Sequence, residues 1–203
     1  MSTRSVSRRL RIPLSRGLAL ALAIVILCSS SYWDGISIAG DVFFLAGCVL
    51  VGIGTLGRLW CTLFVAGYKS RSLVTVGPYS ICRNPLYFFS LLGAVGIGLA
   101  ARSLLIPAVV LVLFAVYYPI VIRSEQRRLL SLHGDDFLDY QRRTPAFLPR
   151  WSLFKEPESY AVNPRLYRKH MFSALWFIWL LGVLEVVRAC HQAGLLPVWF
   201  RIY

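Results

Sequence analysis

Apolar and polar residues fall in long blocks along this chain, not at the short period of a half-buried strand. Five apolar blocks, residues 17–33, 42–66, 86–101, 104–122 and 171–190, read as membrane-spanning helices, since a bilayer core takes about 20 residues of helix. The block at 86–101 is the short one and has to recruit its flanks or sit where the bilayer is thin. The expected architecture is therefore an all-α, multispanning membrane helical bundle of about five transmembrane helices. Between the third and fourth blocks lies a hydrophobic hairpin, bracketed by two polar signatures: GPYSICRNPLY at 77–87 and EQRRLLSLHGDDFLDYQRRTPAFLP at 125–149. If the hairpin spans a bilayer, both signatures emerge on the same side and meet.

Composition agrees with the block pattern: 57% of the 203 residues are hydrophobic and only 15% charged, with a mean hydropathy of +0.63. A net charge of +13 could suggest nucleic acid, but the placement of the cations argues for no nucleic acid. Arg4, Arg8, Arg9, Arg11 and Arg16 precede the first block, and Arg58, Lys69, Arg71 and Arg83 lie at the join of the second and third. Ten more stand between Arg123 and Lys169. The alternate connections hold Asp34, Asp41 and a single Arg102. The positive-inside rule then puts the N-terminus, the 67–85 loop and the 123–170 segment in the cytoplasm, of a bacterial inner membrane or of the endoplasmic reticulum. The first block imitates a signal peptide, but no clean small-x-small site follows it, so it is read as an uncleaved span.

Several patterns are decoys. GIGTLG at 52–57 spells a dinucleotide fingerprint inside an apolar span, where the required strand and helix N-terminus are missing. Its glycines, with Gly47, Ala94 and Gly98, are read instead as close helix packing. His133, His170 and His191 share no metal-ligand spacing, and the five cysteines form no C-x-x-C pair, so no metal site is expected.

Asn84-Pro85 reads as a helix start, with Asn as N-cap and Pro at the first helical position. Such a start favours an anion, and Arg83 adds a full positive charge beside it. Glu125 follows the last apolar turn of the fourth block, where a helix C-terminus would be unfavourable to a carboxylate unless a cation offsets it. Arg128 or Arg123 could be that cation, or a bound ammonium or sulfonium. An anion-favouring pole beside a cation-favouring one fits a zwitterionic amino acid headgroup. S-adenosylmethionine carries one, plus an adenosine that Tyr79, Tyr87, Phe137, Tyr140 and Phe147 could cover.

The order RNPLY, apolar hairpin, E-x-x-x-L, HGDDFLDY and TPAFLP over about residues 58–150 resembles the membrane methyltransferases typified by isoprenylcysteine carboxyl methyltransferase and related to phospholipid methyltransferases. The resemblance implies a pocket for S-adenosylmethionine at the cytoplasmic helix ends, with a membrane lipid or lipid-anchored acceptor arriving from the bilayer. Carried over by position, the cofactor site comprises Arg71, Ser72, Leu73, Val74, Tyr79, Asn84, Pro85, Leu86, Tyr87 and Glu125, covered by Tyr140. Arg83, Arg123 and Glu125 are the candidate catalytic residues. Arg123, Arg127 and Arg143, with Arg83, are candidates to hold the acceptor.

The chain departs from the family pattern in three places. Asn84 stands where a His is usual and Gln126 where a second Glu is usual. Val121 stands where the carboxyl methyltransferases have an Arg for the substrate carboxylate. The implied organisation is a basic N-terminus (1–16), two spans (17–66), a methyltransferase core (67–150) holding the hairpin at 86–122, and a linker with a last span (151–203). An acceptor that is an anionic oxygen, carboxylate or phosphate, is favoured over an amine, because no convincing base is present. The alternatives are a membrane reductase with a nicotinamide cofactor and a non-catalytic scaffold or transport subunit. The latter draws only on Arg58 as an ionisable residue within a span.

Overall fold

The computed structural model describes residue 24 and residues 27–35, 37–66 and 72–202. The expected first span lies largely outside them, as does Arg71. Its last residues are not helical: Ser29–Ser31 form strand β1, and a 3-10 turn follows over Tyr32–Gly35. Three serines in a row cannot all lie against lipid on a helix. As a strand they pair in parallel with β2, Phe200–Ile202, near the end of the chain.

Four long helices make the body: α1 (Ser37–Val65), α3 (Pro85–Ala100), α4 (Leu105–Arg143) and α5 (Pro164–Gln192), with a one-turn α2 (Pro78–Ile81) before α3. Among the described residues, α1, α4 and α5 are long and apolar enough to cross a membrane, and α3 is a shorter apolar helix. The chain is thus an all-α membrane bundle, with α3 at the centre packed against α1, α4 and α5.

Small residues make that central packing possible, because in a bilayer helices associate through close contact and not through exclusion of water. A Cβ added to Gly54 would sit 2.7 Å from the backbone nitrogen of Gly93, and one on Gly96 would sit 2.8 Å from the Gly47 carbonyl oxygen. Part of the GIGTLG stretch is therefore a helix contact, as its apolar setting suggested, whereas Gly52 meets nothing. Gly54→Val is expected to destabilise the bundle by about 1–3 kcal/mol through overpacking, read as a lower Tm in detergent.

At the end of the bundle away from Asn84, Arg102 ties three elements together. It is buried with φ +54 and reaches Glu185 of α5 at 3.0 Å and Asp41 of α1 at 3.6 Å. Its guanidinium lies over the Phe44 ring at 4.9 Å.

Two sequence expectations change here. The helix of the fourth apolar block does not end near Ile122; it continues through Glu125 to Arg143, because EQRRLLSL is made of good helix formers. Glu125 therefore stands within a helix, and the unfavourable helix end invoked for it does not exist. Helical geometry breaks instead at Gly134, with φ 51 and ψ −124, a conformation that only glycine adopts without strain. Beyond the break Phe137 and Tyr140 turn inward and are buried. No atom crowds a Cβ at Gly134, so Gly134→Ala tests backbone strain alone. The expected cost is about 1–3 kcal/mol, seen in Tm and in faster hydrogen exchange over 135–143.

Candidate active site

The two polar signatures meet as expected and enclose a cavity of about 180 Å³. Its wall holds Ser72, Leu73, Val74, Tyr79, Arg83, Asn84, Leu86, Tyr87, Glu125 and Tyr140. Pro85 is fully buried at the first position of α3, behind that wall. Arg123, Arg127 and Arg143 are exposed and are not on the wall. Arg127 donates to the Arg123 carbonyl and Arg143 to the Asp139 carbonyl. Three wall residues were not singled out as site residues, Val65, Gln126 and Leu129, whereas Phe137, named as possible cover for an adenosine, is on the wall. Leu129 follows Glu125 by four, the helical spacing that puts both on one face. Val65 comes from the far end of α1 and carries no signal in the sequence.

The turn before α3 is held by the TPAFLP segment that closes over it. Arg83 N–H donates to the Pro145 carbonyl (2.9 Å), Arg150 N–H to Ile81 (2.9 Å) and Gly77 N–H to Lys155 (2.7 Å). The Cys82 thiol meets the Phe147 carbonyl at 3.1 Å. Gly77 needs its positive φ of 59 and also its missing side chain, since a Cβ there would strike the Phe64 ring.

Asn84 does occupy the N-cap position, but its side chain does not cap the helix. Its Nδ2 donates to the Ala146 carbonyl at 2.7 Å, so the amide is engaged in holding the closing segment. The cap reading is corrected to that extent: the side chain serves the Ala146 carbonyl of the TPAFLP turn instead of the first turn of α3.

Charge in the cavity wall is sparse and opposed. Glu125 accepts a hydrogen bond from the Tyr87 hydroxyl at 2.9 Å, which fixes the carboxylate from the α3 side. Arg83 supplies the cation, and its Nε and Nη1 are buried with no hydrogen-bond partner. Burial lowers its pKa, yet a guanidinium remains charged at any ordinary pH. Buried donors left without an acceptor are costly, more so on a cation, so these two atoms call for an anionic ligand.

The phenols nearby are not bases. The Tyr140 hydroxyl donates to the Tyr79 carbonyl at 2.6 Å, pinning the lid to the turn. Burial raises the pKa of both tyrosines, strongly for Tyr79. The Cys82 thiol is likewise pushed up to about 11 by burial, so it is protonated at neutral pH and is no nucleophile.

A membrane bundle whose two signatures enclose a cavity with opposed charges fits the membrane methyltransferases that the sequence resembles. The family profile described as phospholipid methyltransferase matches residues 36–136, and the chain belongs to that family. It is also similar over most of its length to two bacterial proteins. The nickel-cobalt-cadmium resistance protein NccN of Alcaligenes xylosoxydans xylosoxydans is 39% identical over 189 residues, covering 93% of this chain and 88% of that one. The cobalt-zinc-cadmium resistance protein CzcN of Cupriavidus metallidurans is 41% identical over 171 residues, covering 84% and 78%. No solved structure matches the chain.

Proposed function

We propose that the chain transfers a methyl group from S-adenosylmethionine to a lipid or lipid-anchored acceptor in the membrane, at the cytoplasmic face. The observation that carries this reading is the unpaired Arg83 guanidinium across the cavity from the Glu125 carboxylate. Arg83 suits the carboxylate of the methionine moiety, and Glu125, steadied by Tyr87, suits its ammonium. Ser72, Leu73, Val74, Tyr79, Leu86 and the lid residues Phe137 and Tyr140 offer apolar and aromatic cover for an adenosine.

Bound there, the donor supplies an electrophilic methyl group on a sulfonium. The residues of this chain contribute binding, orientation and exclusion of water. With Tyr79, Tyr140 and Cys82 all held in their protonated forms, none takes a proton from an acceptor, which favours an acceptor oxygen that is already ionised. Arg123, Arg127 and Arg143 remain candidates for the first, electrostatic contact with such an acceptor at the membrane surface. The two relatives are named for metal resistance, and for this chain we extend that setting to methylation of a membrane component.

Incubating purified protein with methyl-labelled donor and a bacterial membrane extract tests the reading. Label in the solvent-extractable fraction that depends on Glu125 is the expected result. Saturable binding of a reduced nicotinamide cofactor in place of the donor would favour the reductase reading, and binding of neither would favour the scaffold.

A further inference from the structure

Arg58 stands seven residues before the end of α1, roughly 10 Å into the helix from the cavity end at about 1.5 Å per residue. At that depth its side chain is held by groups of two neighbouring helices. Nη1 donates to the Ser90 hydroxyl on α3, and Nη2 donates to the Ser173 hydroxyl on α5 at 3.2 Å. The guanidinium lies 5.5 Å from the centre of the Phe177 ring. Its Nε is buried with no partner. Among the described residues no carboxylate pairs with it. Two neutral hydroxyls and a ring do not balance a full positive charge within an apolar bundle, and such a charge is expensive to keep there.

Its position explains what it could serve. Ser90 is one helical turn along α3 from Leu86 and Tyr87, which line the donor cavity. On the α4 side, Tyr118 lies in electrostatic range of Arg58 and meets the Tyr87 ring edge-on at 5.0 Å. Tyr87 in turn holds Glu125. The unbalanced cation is not itself on the cavity wall but lies one turn of α3 behind the lining residues Leu86 and Tyr87, within the bundle, whereas Arg123 and Arg127 are exposed.

We infer that Arg58 is the binding residue for the acid group of the acceptor, and that the acceptor is an amphiphile bearing an ionised carboxylate or phosphate. This rests on the methyl-donor reading of the cavity and deepens it by naming the substrate class. The acceptor oxygen, already deprotonated, forms the new oxygen–carbon bond as the carbon–sulfur bond of the sulfonium breaks and sulfur keeps the electron pair. No proton has to leave, in keeping with a site where Tyr79, Tyr140 and Cys82 are protonated and the Glu125 carboxylate is committed to the donor's ammonium.

The test uses the full chain in neutral detergent with three probes: oleate, dioleoyl phosphatidate and methyl oleate, the last as the uncharged control. Wild type is expected to bind one or both acids at least tenfold more tightly than the ester, and the better acid identifies the group. Arg58→Gln is expected to lose that preference while binding S-adenosylmethionine within about twofold of wild type, a check that the fold survives. Arg58→Lys keeps the charge and should recover part of the preference, and Arg168→Gln, at an exposed position of α5 with no assigned role at the site, should leave it intact. Equal binding of acid and ester by wild type, or an undiminished preference in Arg58→Gln, overturns the inference. So does a preference lost equally in Arg168→Gln, which would make it a diffuse effect of the basic surface. Charge-selective binding that depends on Arg58 in a protein that does not bind the methyl donor would uphold Arg58 as an acid site and remove the donor reading instead.

Discussion

Glu125→Ala is expected to weaken binding of S-adenosylmethionine by about 30-fold or more, the cost of removing one partner from a desolvated, hydrogen-bonded charge pair. The carboxylate is half-buried on the cavity wall and its orientation is set by the Tyr87 hydroxyl at 2.9 Å. Glu125→Gln keeps an oxygen for that hydroxyl and loses only the charge, so its loss should be smaller, about tenfold. Tyr87→Phe leaves the charge and frees its orientation, which predicts the mildest of the three effects. Isothermal titration of each variant with the donor gives the order directly. An unchanged affinity in Glu125→Ala would mean that the carboxylate does not face the ligand.

A second large effect concerns Arg83, and it has two signs. Without ligand, Nε and Nη1 are buried and unpartnered, so Arg83→Met should leave Tm unchanged or raise it, since a buried charge is replaced by an apolar chain of similar length. With ligand the order reverses, and affinity for S-adenosylmethionine should fall by about 30-fold or more. Decarboxylated S-adenosylmethionine lacks the group that Arg83 is proposed to hold. Wild type should bind it as weakly as Arg83→Met binds the complete donor, and Arg83→Met should not distinguish the two compounds. A variant that still prefers the complete donor by the wild-type margin would transfer the carboxylate to some other group. The opposed effects on stability and binding are what a site that stores an unpaired charge for its ligand should display.

Much of this was legible in the sequence because it rests on local chemistry. The apolar block at 86–101 gives helix α3 close to its actual limits, and those at 104–122 and 171–190 give the start of α4 and the end of α5, whereas α4 runs on to Arg143 and α5 begins at Pro164. Gly47 and Gly54, read from the sequence as close-packing positions, mark the face of α1 that touches α3, where Gly96, not singled out, meets it. The convergence of 72–87 with 125–140 follows from the hairpin between them, so most of the cavity wall could be named in advance.

What could not be read depended on competition between distant groups. Asn84 has the identity of a cap, but whether it caps or holds the Ala146 carbonyl is decided by a segment more than sixty residues away. The fate of the helix after Ile122 turns on Gly134, whose break is visible only once Phe137 and Tyr140 have a cavity to cover. Arg58 could equally be an ionisable residue within a span or one snorkelling from its end, and it is Ser90 and Ser173, from two other helices, that hold it. The pairing of Ser29–Ser31 with Phe200–Ile202 joins nearly opposite ends of the chain, and no local pattern announces it.

The central claim is that one cavity binds a zwitterionic methyl donor between Arg83 and Glu125. Equilibrium binding of S-adenosylmethionine to the purified full chain in detergent tests it most directly. The account predicts saturable binding at one site per chain, weakened by Glu125→Ala and by Arg83→Met alike. Absence of saturable binding, or binding that survives both substitutions at full strength, would contradict it.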